Sequence, residues 1–182
     1  TGPYLGQKPP GMTPEIFAPG LISTEKTEYT PAFTPEQDEC LYTFFLPSKR
    51  HAIMRLRQID GIWQAPEPAP FCGSTNDADL TLSPDGKKAL FWSDRPTNTG
   101  AAKDDADLWI SRRINGEWQP AQWLKGAINN KDWQIAPTET VAGTLYFASY
   151  RYYCKDYTEN LGKMDLYRSD PVNGAYGAPE IL

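Results

Sequence analysis

The chain has no apolar run near the 18 or more residues that a membrane-spanning helix needs, so such a span is excluded. It also has no basic excess: 18 Lys and Arg face 23 Asp and Glu, for a net charge of −5. Without surplus cations to displace counterions, neither a nucleic-acid backbone nor an anionic membrane is expected as the main partner. The single histidine, His51, rules out a multi-histidine metal site and a histidine pair for acid–base work. Cys40, Cys72 and Cys154 form no CxxC pair, so a structural zinc site is not expected, and the odd count leaves at least one thiol without an intrachain partner. GxSxG, a phosphate-binding loop and GxGxxG are all missing, and Ser23, Ser74 and Ser111 have no nucleophile context. No stretch carries apolar residues at helical spacing. The opening Thr1-Gly2-Pro3-Tyr4 is not a signal peptide; it reads as the start of a mature chain or as the edge of a longer one.

What the chain does have is aromatics and turn formers: six Trp, ten Tyr, seven Phe, 17 Pro and 14 Gly among 182 residues. They keep a beat. Pro14-Glu15-Ile16 near the start matches Pro179-Glu180-Ile181 at the end, with Pro66 and Pro120 between. The steps are 52, 54 and 59 residues. Before each later proline stands a glycine-then-aromatic phrase: Gly61-Ile62-Trp63, Gly116-Glu117-Trp118 and Gly174-Ala175-Tyr176. Upstream come extended stretches beginning Ile53, Asp107 and Asp165, and apolar strands beginning Cys40, Ala89 and Leu145. A further short strand precedes each, clearest in Leu80-Thr81-Leu82-Ser83-Pro84-Asp85-Gly86, which runs into a turn.

Each unit therefore has four short β-segments, A to D, with the phrase as D. A third-repeat A segment from Ile135 fits with a slip of about one residue. Four antiparallel strands repeated every ~50–60 residues indicate β-propeller blades. The fold expected is all-β, a β-propeller with about three four-stranded antiparallel blades present. The boundaries expected are an extended arm at 1–14 and repeats at 15–66, 67–120 and 121–182, the last including the start of another blade. The phrase aromatics read as inter-blade core, with sugar stacking as the other use. Propellers close with about four to eight blades. Three blades thus imply either part of a longer polypeptide or two copies in one ring.

Leu82-Ser83-Pro84-Asp85-Gly86-Lys87 followed by Leu90-Phe91 resembles the core of the WD40-like PD40 repeats found in TolB-like bacterial propellers. Asp107-Leu108-Trp109, Asp165-Leu166-Tyr167 and Gly116-Glu117-Trp118-Gln119-Pro120 resemble the segments that follow it. The resemblance covers about residues 15–182 and is weaker in the first repeat, where Glu36-Gln37 replaces Asp-Gly. It implies a periplasmic or secreted bacterial protein and a six-bladed fold. It implies no single activity, because such propellers include binding scaffolds as well as lyases, lactonases and peptidase lids.

In a propeller the B–C loops and the stretches before strand A share one rim. Here the B–C loops are long, near 46–52, 94–106 and 150–163, which makes this rim the place for binding. Arg95 and Arg151 follow strand B at similar positions; they clamp a carboxylate or sulfate, or tie the loop to an Asp of a neighbouring blade. Tyr152 lies in the third loop. Glu28, Asp77 and Asp132 stand before strand A; they form a carboxylate ring for Ca²⁺ or a polar substrate, or each caps its own turn. His51 is a general base or an exposed loop histidine. Asp104-Asp105-Ala106-Asp107 lacks EF-hand spacing and reads as a solvated acidic loop. Cys72 and Cys154 fall on the same rim of adjacent blades and are expected to pair in an oxidising compartment, with Cys40 a buried thiol. The function expected is a non-enzymatic periplasmic or secreted module binding a protein or glycan on this rim without a resident cofactor. The alternatives are a carbohydrate- or lactone-acting enzyme using rim carboxylates and a divalent metal, or a half-module that serves subunit assembly.

Overall fold

A computed structural model describes residues 3–97, 105–151 and 164–182. Among them, one 3-10 turn at Pro3–Gly6 is the sole helical element. Sheet one holds β1 (Thr27–Phe33), β2 (Glu39–Phe45), β3 (His51–Ile59), β4 (Ile62–Trp63) and β5 (Glu67–Pro68). Sheet two holds β6 (Asp77–Leu82), β7 (Lys88–Ser93), β8 (Asp107–Ile114), β9 (Glu117–Trp118) and β10 (Gln122–Trp123). After β11 (Gln134–Glu139), β12 (Leu145–Ser149) and β13 (Asp165–Ser169) come a small hairpin of β14 (Pro171–Val172) and β15 (Ala175–Tyr176), then β16 (Glu180–Ile181). Sheet three runs β11-β12-β13-β16. All strand pairs are antiparallel.

The turns explain the strand order. At β6–β7 the Ser83 hydroxyl donates to Asp85 at 2.6 Å, Gly86 N donates to Ser83 O at 2.8 Å, and Gly86 takes φ +67°. Gln37 and Gly143 hold the same left-handed conformation in the matching turns. The one-residue slip of the third repeat lies here: Thr140 bonds Thr144 across three residues, where Ser83 bonds Lys88 across four.

The glycine–aromatic phrase is not the outer strand. Asp60-Gly61, Asn115-Gly116 and Asn173-Gly174 all have positive φ at both residues, the geometry of the tightest hairpins. The chain reverses at once, so Ile62–Trp63 and Glu117–Trp118 fold back on the strands they follow. The next proline has no N–H to continue that ladder. The residues just after it become the outer strand: β5 on β3, β10 on β8 and β16 on β13. Glu67–Pro68 thus closes sheet one, and Glu180–Ile181 closes sheet three instead of opening another blade.

Alternate residues of the middle strands feed different layers. Cys40 and Tyr42 pack on one side of sheet one with Leu56, Ala18 and Ile22. Leu41 and Ile53 face the other way, onto Ala89, Phe91, Trp109 and Trp118 of sheet two. Leu90 and Leu108 then face Leu145, Phe147 and Tyr167 of sheet three. Strands buried on both faces account for the unbroken apolar runs. The phrase aromatics Trp63, Trp118 and Tyr176 lie one in each layer. In the segment expected as an extended arm, Leu5 packs on sheet one and the Gln7 amide bonds Ile16 O and Ala18 N, while residues 8–14 are exposed and form neither helix nor strand.

Candidate functional site

The ends of β2 and β7 and the starts of β1, β3, β6 and β8 share one rim, because Thr27 pairs Phe45, which pairs His51, and Asp77 pairs Ser93, which pairs Asp107. On it, Arg95 donates to the fully buried Asp77 and to Phe71 O. Its guanidinium lies 5.4 Å from the Phe91 ring centre and 5.0 Å from that of Trp109. Asp77 also accepts from Gly73 N at 2.8 Å and from the Cys72 thiol at 3.2 Å. Arg151 repeats the arrangement over Phe147 and Tyr167, at 5.2 and 5.1 Å, and donates to Ala127 O and Ile128 O. Ser93 and Ser149 hold the two arginines alike. Both side chains thus tie their loops down, and the Asp that Arg95 meets is in its own sheet.

The three acids do not converge. Glu28 accepts from Thr24 N and the Thr24 hydroxyl, and Asp132 from the Asn130 amide at 3.2 Å. Register makes Glu28, Asp77 and Gln134 equivalent, facing Phe44, Ser93 and Ser149; Asp132 lies two residues earlier. Among the described residues no three His, Cys, Asp or Glu side chains gather as a metal site. Cys40 is buried and free, as expected; Cys72 is also a free thiol, bonded to Asp77 rather than bridged. Cys154 and Tyr152 lie outside the described residues.

His51 is more than a loop residue. It opens β3, and its Nδ1 lies 2.8 Å from the Tyr29 hydroxyl. Its ring sits 4.8 Å from Phe45 and 5.8 Å from Trp92. Its backbone N–H donates to Asn76, whose N and Nδ2 both donate to Asp94. Trp133, 43% exposed, stands 6.1 Å from Trp92. Asp79 completes the group from a bulge in β6, where it takes φ +50°. Burial raises the Asp79 pKa, while N–H donors from Trp92 and Ala136 and the His51 charge lower it less. Burial also holds His51 below its ordinary value, opposed by the charges of Asp79 and Asp94. Burial, then the Asp79 charge, raises the Tyr29 phenol. The imidazole and phenol are thus kept neutral, each able to donate and accept at the rim.

Tyr29, Asn76, Asp79, Trp92 and Trp133 escaped the sequence reading as site residues. The sequence places the A strand of the second repeat from Leu80, whereas β6 begins at Asp77. A signal did exist: Pro31 and Pro137 inside short strands mark bulges, and β1, β6 and β11 all shift register there with Thr30, Asp79 and Ala136 at positive φ.

No family model and no curated protein matches the sequence. Solved structures do match. A putative TolB from Agrobacterium tumefaciens superposes with a TM-score of 0.57 at 18% identity, over 87% of this chain and 50% of that one. The fold is a β-propeller. TolB from Acinetobacter baumannii gives 0.51 at 20% identity, covering 87% of this chain and 33% of that chain. A Mycobacterium tuberculosis puromycin-hydrolyzing peptidase gives 0.52 at 16% identity, covering 86% and 23%. The chain spans half or less of the length of each. Likeness at such identity speaks for the fold, so the three sheets are propeller blades, and activity must be argued from the site.

Proposed function

We propose that this chain is a periplasmic or secreted propeller module that binds a protein ligand on the rim where Trp133 and His51 lie. The exposed Trp133 beside Trp92 carries the reading. A large ring bordered by ordered polar groups is the usual anchor of a protein interface. The test exposes the immobilised chain and Trp133→Ala to the periplasmic and secreted fractions of its source, and to a glycan array. Discrete proteins held by the parent and released by the variant are expected. Equal retention, or glycan binding alone, would overturn the proposal.

One observation favours a second reading. The Tyr29–His51 contact beside Asp79 has the geometry of an acid–base pair, which fits an enzyme acting on a glycoside or lactone. Turnover of such substrates, with or without added Ca²⁺, that His51→Gln abolishes would replace the binding role. The ring itself we take to be completed by further blades, either of a longer polypeptide or of a second copy. The outward face of blade three leaves Leu166 50% exposed, whereas the equivalent Ile53 and Leu108 are fully covered by the next blade.

A further inference from the structure

The three blades differ at one charged position on their outer strands. Register makes Glu67, Gln122 and Glu180 equivalent, since they face Arg55, Ile110 and Arg168. It also makes Arg57 and Arg112 equivalent, facing Glu39 and Lys88. In blade one, Glu67 pairs with both Arg55 and Arg57, at 3.0 and 3.2 Å. In blade three, Glu180 lies 3.9 Å from Arg168. Blade two has a neutral amide there. Arg112 donates to Gln122 at 3.2 Å and has no ion-pair partner among the described residues.

This arginine borders a cleft of about 1350 Å³ between blades two and three, on the flank of the propeller. Trp109, Gln122, Trp123, Lys125 and Tyr176 line it as well. The acid of the cleft, Glu139, is already engaged by Lys88 at 2.6 Å and by the Tyr176 hydroxyl at 2.9 Å. Among the described residues, Arg112 and Lys125 are thus the cleft's cations without an acidic partner, in a chain of net charge −5. The indole N–H of Trp109 is buried with no partner among the described residues. A planar guanidinium matches a carboxylate in two-pronged geometry, and half-buried aromatic rings suit the face of a sugar. Strand addition by a peptide is poorly served, because the outer strand β10 pairs over only two residues.

We propose that this flank cleft binds an acidic saccharide, with its carboxylate on Arg112 and its ring against Trp123 and Tyr176. The site lies on the flank, reaching the rim loop only at Thr97 among the described residues, and does not depend on the role assigned to Trp133 and His51. Calorimetric titration tests it with a hyaluronan tetrasaccharide, neutral chitotetraose and pentaglutamate. The decisive variant is Gln122→Glu, which gives Arg112 the internal partner that Arg57 has. The acidic tetrasaccharide should bind the parent at least tenfold more tightly than chitotetraose does. Gln122→Glu should weaken it at least tenfold without lowering the melting temperature, and Arg112→Gln should do the same. No binding of the tetrasaccharide, equal binding of chitotetraose, tighter binding of pentaglutamate, or an unchanged affinity in Gln122→Glu would each overturn the proposal.

Discussion

Among single residues, His51 shows how much environment adds to residue type. Its aromatic surroundings lower its pKa, so the unfolded chain takes up this proton before the fold does. Stability should therefore fall as pH drops through the unfolded value of about 6.5. Asp79 acts with the opposite sign. Its raised pKa contributes stability below the ordinary carboxylate range, and that contribution fades as pH rises through the folded value. The groups facing His51 are Tyr29, Asp79 and Asp94. Urea unfolding between about pH 7.5 and 6 should show stability falling in the parent, with that loss reduced in His51→Gln and retained in Asp79→Asn. Equal slopes in the parent and His51→Gln would count against a buried, neutral imidazole. In the sequence His51 could be seen as the one histidine. Its tie to Tyr29 spans 22 positions and could not.

At the scale of elements, the turns are the most local part of the structure and the easiest to test. Gly86 and Gly61 both need a left-handed backbone, with φ +67° and +77°. A Cβ on Gly86 would lie 2.5 Å from Cδ of Pro35 in the neighbouring blade, whereas one on Gly61 would meet nothing within 4 Å. Gly61→Ala should cost about 1 kcal/mol, the ordinary penalty for that conformation. Gly86→Ala should cost about 2–4 kcal/mol, since a rigid proline ring must also move. Chemical denaturation of the two variants checks the order. The same local chemistry made β2, β7, β12 and β13 legible as short apolar stretches between turn signals. The outer strands were not legible. They are two residues long and are set by a tight hairpin and a following proline, so neither alternation nor length marks them.

The whole molecule is a stack in which each blade covers the one before it. Burial of a leucine-sized side chain is worth about 1.5–3 kcal/mol, so the half-exposed Leu166 marks a face with energy still to gain. If a second copy supplies the missing cover, sedimentation should show a discrete dimer that Leu166→Glu dissociates. A parent chain that stays monomeric at every concentration would eliminate that closure. The cleft between blades two and three also belongs to this scale. Its charge imbalance is visible only when the repeats are compared in register.

The order of the first three strands of each blade, the beat of the repeat and its tight turns follow from residues within a few positions of one another, which is why the chain alone determined them. Which side chains meet was decided by the stacking of sheets. Trp118 reaches Glu39 across 79 positions, and Lys88 reaches Glu139 across 51. Arg95 and Arg151 became loop ties, and Tyr29, His51 and Asp79 became neighbours, for the same reason. Contacts between rigid sheets depend on their relative placement, and no local pattern of residues encodes that placement.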